Sequence, residues 1–219
     1  MALTVLFALM LLTSAVLAVA LGNRIAVVRD IRAGELGDVV NRAHDADDFV
    51  SGAATVFALN QLAIVVVFII WLYRAAKNNE GLRRSKPRFS AGWSIGAWFI
   101  PLANLVIPVL IVQDLWRGAD SSRPRGDPDW RRAPGSVLVG LWWAAALLSV
   151  IRFAASGSGF DNGTLADIER SNTIALIGVV FTGIAAVLGL WVVRALTRRQ
   201  LDCLIAQRAE WESARSTPR

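Results

Sequence analysis

One cysteine, one histidine and one tyrosine in 219 residues set the first limits on what this chain can be. A single Cys closes no intrachain disulfide and builds no cysteine-based zinc site, and a single His leaves no histidine pair for a metal. Charge is scarce as well: 18% of the residues carry it, against about 25% in a soluble domain. Hydrophobic residues fill the difference at 55%, which moves the reading from a soluble protein towards a membrane protein. Lys and Arg outnumber Asp and Glu by 23 to 17. That excess would suit nucleic acid only if it gathered on a folded basic face with stacking aromatics, and no segment supplies one.

The apolar residues lie in long runs. Four are about the 20 residues that cross hydrocarbon: 2–21, 52–73, 136–155 and 173–193. A fifth, 93–112, is uncharged and as long, but it contains Pro101 and Pro108. Proline donates no backbone hydrogen bond, so the carbonyls of Ala97 and Asn104 lose their helical partners. In lipid such carbonyls are costly, and this stretch is expected to be buried in protein or to line a polar cavity. The first run also resembles a signal peptide, with Ala18-Val19-Ala20 as a small-residue cleavage site. Its full spanning length and the absence of Lys or Arg ahead of it favour a retained helix.

Charges between the runs predict the threading. Residues 74–92, 114–135 and the tail from Arg194 hold six, five and six basic groups. Residues 23–50 and 152–172 hold four and two. If the proline-bearing run does not cross, the three richer segments share one side. If it crosses, the better orientation leaves 15 basic groups inside and eight outside, and it exports 74–92, the most basic loop. The prediction is therefore an all-α, multi-pass helix bundle in the bacterial plasma membrane with four transmembrane helices and both termini cytoplasmic. Residues 93–112 form a re-entrant or interfacial segment; a kinked fifth span is the alternative. The membrane domain covers 1–199, and 200–219 form a cytoplasmic amphipathic tail. Trp71, Tyr73, Trp93, Trp116 and Trp191 all fall at the inner interface in this arrangement.

Several blocks then resemble a known family. Trp71-Leu72-Tyr73-Arg74-Ala75-Ala76-Lys77-Asn78 is followed by Arg88-Phe89-Ser90-Ala91-Gly92-Trp93. Next come Trp98-Phe99-Ile100-Pro101-Leu102-Ala103-Asn104, Pro108 and Asp114-Leu115-Trp116-Arg117, and near the end Val193-Arg194-Ala195-Leu196-Thr197-Arg198-Arg199-Gln200. This pattern resembles the bacterial membrane family called domain of unknown function 4328, common in actinobacteria. Ala91 departs from the Pro such proteins often carry there. The resemblance implies a multi-helix inner-membrane protein and supplies no activity.

Functional candidates are few, because no run holds an acidic residue or a lysine in its interior. That argues against a proton pump, a voltage sensor or an ordinary ion-coupled transporter. Asn60, Gln61 and Asn104, with Pro101 and Pro108, are the candidates for a polar pocket; interhelical hydrogen bonding is the plainer use of the three amides. Arg74, Lys77, Arg83, Arg84, Lys86 and Arg88 follow the second span and suit anionic lipid contact. Gly178, Thr182, Ala186 and Gly189 keep small residues on one face of the fourth span, for packing within the chain or a homodimer contact. Asp38, His44, Asp45, Asp47 and Asp48 read as a solvated helix leading into the second span, with a divalent cation as the alternative occupant. Leu201, Leu204, Ile205 and Trp211 give the tail an apolar stripe for the membrane surface or a partner. No catalytic arrangement, metal site or cofactor is expected. The expected partners are the lipid bilayer, a second copy and membrane-complex proteins, but not nucleic acid. A scaffold or accessory subunit is the leading functional expectation, and a small permease or channel-like protein the alternative.

Overall fold

A computed structural model describes residues 2–35, 37–82, 87–122, 127–150 and 164–216. Among them the fold is all-α: α1 (Ala2–Ala33), α2 (Val39–Leu82), α3 (Trp93–Gly96), α4 (Pro101–Gly118), α5 (Val137–Ser149) and α6 (Leu165–Ser216), with a 3-10 turn at Trp130–Arg132 before α5. Helices α1, α2 and α6 are long and apolar enough to cross a membrane. At 32, 44 and 52 residues they extend about 48, 66 and 78 Å, well beyond a hydrocarbon core of about 30 Å. The shorter apolar helix α5 extends about 20 Å over its 13 residues. The rest of the run expected to 155 lies outside the described residues.

Local chemistry sets the helix ends. Gly34 closes α1 at φ +85°, a conformation that a side chain would strain. Its N–H reaches Ile31 O and the Glu35 N–H reaches Asp30 O, the paired bonds of a Schellman motif. The chain then turns through Asp38, whose carboxylate accepts a bond from the Asn41 amide at 2.6 Å. Thr164 Oγ1 accepts the Asp167 N–H at 3.2 Å and donates to Asp167 Oδ2 at 2.6 Å, a cap that opens α6.

Burial follows helical spacing. On α1, Leu3, Phe7, Met10, Ser14, Leu17 and Leu21 face inward at steps of three and four. The exposed side is equally apolar, with Val5, Leu9, Leu12, Val16 and Val19. On α2 the buried stripe includes Ala53, Phe57, Ile64, Phe68, Leu72 and Ala75, and Val56, Leu59, Leu62, Val66 and Ile70 stand outside. Exposed apolar surface on this scale would be unstable in water and matches a lipid solvent. The molecule is a membrane helix bundle.

The bundle has two compact units, residues 1–65 with 142–188 and residues 66–141 with 189–219. In the first unit, charged helix ends are cross-linked: Arg24 meets Asp47 at 2.7 Å, Arg29 and Arg32 clasp Glu169 at 2.7 and 2.6 Å, and Arg42 pairs with Asp30. The acidic stretch before the second span is helical as expected, and part of its charge is spent on α1. Thr182 and Ala186 are buried on α6, and the Thr182 hydroxyl donates to Gly178 O at 2.9 Å.

The proline-bearing stretch differs in detail from the expectation. Pro101 does not interrupt a helix but opens α4 at its first turn, where the missing N–H costs nothing. The interruption falls at residues 97–100, with Ile100 extended at φ −108° and ψ 112°. Pro108 does lie inside α4 and is buried there. The amphipathic tail is a continuation of the last span, as its pattern suggested: α6 runs through it to Ser216.

Candidate functional site

The second unit contains a buried polar construction. It forms where the end of α2, the α3–α4 segment and the stretch of α6 from Arg199 to Cys203 converge. Trp98, within the break, packs edge-on against Phe68 of α2 with ring centroids 6.0 Å apart. Glu80 Oε1 accepts the Ala91 N–H at 3.3 Å, and its other oxygen pairs with Lys77 at 2.9 Å. The hydrogen bond from Lys77 holds the Glu80 carboxyl below its ordinary pKa.

Between these elements lies a cavity of about 20 Å³, with Asn79, Glu80, Ser94 and Asp114 in its lining together with Phe89 and Ile111. That is room for about one water. Asn79, Ser94 and Asp114 are 2%, 0% and 5% exposed. Asn79 Oδ1, Ser94 Oγ and both Asp114 oxygens have no hydrogen-bond partner among the described residues. Arg88 and Arg117 approach the Asp114 oxygens at 3.6 and 3.7 Å, outside hydrogen-bonding range. Burial raises the Asp114 pKa, and the guanidinium groups of Arg88, Arg117 and Arg131 offset that only in part. One water donating to Asn79 Oδ1 and an Asp114 oxygen, and accepting from the Ser94 hydroxyl, would satisfy three of these four atoms and leave the second Asp114 oxygen.

The last helix closes the unit. Gln200 Nε2 donates to Ala75 O at 3.0 Å, and Cys203 Sγ donates to Ala119 O at 3.2 Å. The Arg199 guanidinium stacks 4.4 Å from the centre of the Trp116 ring. Past α4, Gln113 holds Ser136 with two backbone bonds of 2.8 Å, and Arg117 Nε donates to Ala133 O at 2.9 Å. Blocks far apart in sequence, 71–78, 88–93, 98–104 and 114–117, thus serve one construction.

A family model described as Domain of unknown function (DUF4328) matches residues 38–198. The chain belongs to the DUF4328 family. No curated protein and no solved structure matches it. Family membership agrees with the resemblance carried by those blocks together with Pro108 and residues 193–200.

The expected site residues of this DUF4328 protein divide between the units. Asn60 and Gln61 lie on α2 in the first, where the Asn60 amide donates to Leu6 O and Met10 Sδ at 3.4 Å each. Pro101, Asn104 and Pro108 lie on α4 in the second. Asn104 Oδ1 is buried without a hydrogen-bond partner among the described residues. Arg74, Lys77 and Arg88 are exposed, and Arg83, Arg84 and Lys86 lie outside the described residues. Gly178, Thr182, Ala186 and Gly189 are all buried in the chain. No group of three or more His, Cys, Asp or Glu side chains able to hold a metal occurs among the described residues. Sequence reasoning passed over Asn79, Ser94, Gln113 and Gln200. The signal available was Gln113-Asp114, two polar residues directly after an apolar run.

Proposed function

We propose that this DUF4328 protein is a scaffold or accessory subunit of the plasma membrane that acts by binding lipids and partner proteins rather than by catalysis. The observation that carries the reading is the surface of the α3–α4 segment. Phe99, Ile100, Leu102, Leu105 and Val106 are exposed there, Leu102 at 80% and Phe99 at 77%. The apolar part of α4 from Leu102 to Val112 is 11 residues, about 16 Å, half a hydrocarbon thickness. Such a segment enters one leaflet from the cytoplasmic side and returns. Arg74, Lys77 and Arg88, exposed in the same unit, attract anionic headgroups at about 1 kcal/mol per charge near the surface, weakened by salt. Both termini are cytoplasmic in this arrangement. Asn60 is engaged in packing against α1, which supports a binding role over a permeation pathway through that residue.

Cys203 is buried, so its failure to label would say little about topology. The test therefore uses a Cys203→Ser background with single reporters Val40→Cys, Ser90→Cys and Ser122→Cys, all at exposed positions. A membrane-impermeant maleimide on intact cells should label only Val40→Cys. Labelling of one of Ser90→Cys and Ser122→Cys without the other would establish a fifth crossing and overturn the re-entrant reading. Native mass measurement after extraction in lipid should then show stoichiometric protein partners. A chain that purifies alone and supports solute uptake in liposomes would sink the scaffold reading.

A further inference from the structure

In the first compact unit a groove of about 510 Å³ runs between α1 and α2, lined by Leu12, Thr13 and Val16 and by Phe49, Gly52 and Val56, with Asp48 also in its wall. Gly52 keeps the groove open, since nothing lies within 4 Å of where its Cβ would stand. The Thr13 hydroxyl is satisfied by Met10 O at 3.3 Å, so the lining suits hydrocarbon. Along α2 the lining runs from Asp48 to Val56, a rise of about 12 Å, close to the depth of about 15 Å of one leaflet's acyl region. Its deep end is at Leu12, midway along the apolar stretch of α1, and its shallow end is where α2 becomes charged.

In a bilayer, an acyl chain fills such a groove, and the headgroup decides which lipid stays. The charge at the shallow end is one-sided. Arg24 is committed to Asp47, Arg29 and Arg32 to Glu169, and Arg42 to Asp30, which uses all four arginines of 23–50. Asp48 is 72% exposed beside His44, with Asp45 exposed one turn earlier. The geometry points to a site for a phospholipid with an ammonium headgroup, of the ethanolamine class, with one acyl chain between α1 and α2 and the ammonium against Asp48 and Asp45. An anionic headgroup would meet two carboxylates there instead.

The test takes the full-length protein in nanodiscs holding equal phosphatidylethanolamine and phosphatidylglycerol with matched chains, and weighs the lipids retained on gentle release by native mass spectrometry. Wild type should retain the ethanolamine lipid about five-fold over the glycerol lipid, the factor expected for one charge contact at the surface. Asp45→Asn with Asp48→Asn, both at exposed positions, should bring that ratio to near one. Gly52→Phe should remove the retained lipid at unchanged helix content. Equal retention by wild type, or a preference that survives in the double variant, overturns the proposal. So does a dimer that Gly52→Phe abolishes, which would assign the groove to a second copy.

Discussion

A methyl group added at Gly135 would meet Gln113 Oε1 at 2.7 Å, Arg117 Nη2 at 3.0 Å and Gln113 Cδ at 3.3 Å. Both neighbours are side-chain ends that elsewhere would swing away cheaply, but here they are held. Gln113 is bound to the Ser136 N–H and carbonyl, and Arg117 to Ala133 O. Gly135→Ala must therefore give up the two Gln113 bonds, at about 1 kcal/mol each net, or about 2 kcal/mol together. For a chain of this size that lowers the melting temperature by about 4–8 °C. Gln113→Ala should cost a similar amount by leaving the same Ser136 groups unpaired. The double variant then has nothing further to lose, since the added methyl enters the space Gln113 vacated. Thermal unfolding in detergent of wild type, both single variants and the double variant completes the cycle, with a coupling of about 1–2 kcal/mol. Additive costs would refute the reasoning, as would a Gly135→Ala protein that melts with wild type.

Other expectations follow from the same contacts. Arg29 and Arg32 hold the Glu169 carboxyl below its ordinary pKa. Its contribution is thus present above the unfolded-state value and lost as pH falls through the folded one; a melting series towards acid pH should be flatter for Glu169→Gln than for wild type. Asp114 has the opposite sign: burial raises its pKa, so the folded chain binds that proton more tightly and loses stability as pH rises through the folded value. Asp114→Asn should melt no lower than wild type at pH 7, and a clear drop would mean that the three arginines around it outweigh burial. Asn60→Leu should cost about 0.6–2 kcal/mol through lost bonds to α1, measured by unfolding in detergent, with membrane insertion unchanged.

The three long spanning helices were legible because hydropathy reports the solvent around a helix, and 2–21, 52–73 and 173–193 all lie within them. Their true ends were not, because the helices continue through charged residues that carry no hydropathy signal. Gly34 and Thr164 set ends by hydrogen bonding instead. Pro101 was read as a breaker because its effect depends on whether a helix precedes it, and the chain is already extended at Ile100. The polar cavity was invisible for a different reason. Asn79, Ser94 and Asp114 are each ordinary interfacial residues in sequence, and only the fold brings them to one 20 Å³ space. Asn104 stood out as a polar residue within an apolar run, but nothing in a linear reading tells which neighbours it finds.

Helices α2 and α6 each begin in one compact unit and finish in the other. Neither unit is therefore a contiguous piece of chain, and neither is complete until the last helix has been made. During synthesis the Ala75 and Ala119 carbonyls wait for Gln200 and Cys203, more than 80 residues after Ala119 and 125 after Ala75. At translation speeds of about 5–20 residues per second that is a delay of about 4–25 seconds with the helices already in lipid. The ribosome, rather than the membrane, times the closing of the second unit. A nascent chain stalled shortly before Gln200 would hold its spans inserted and the packing of the second unit open.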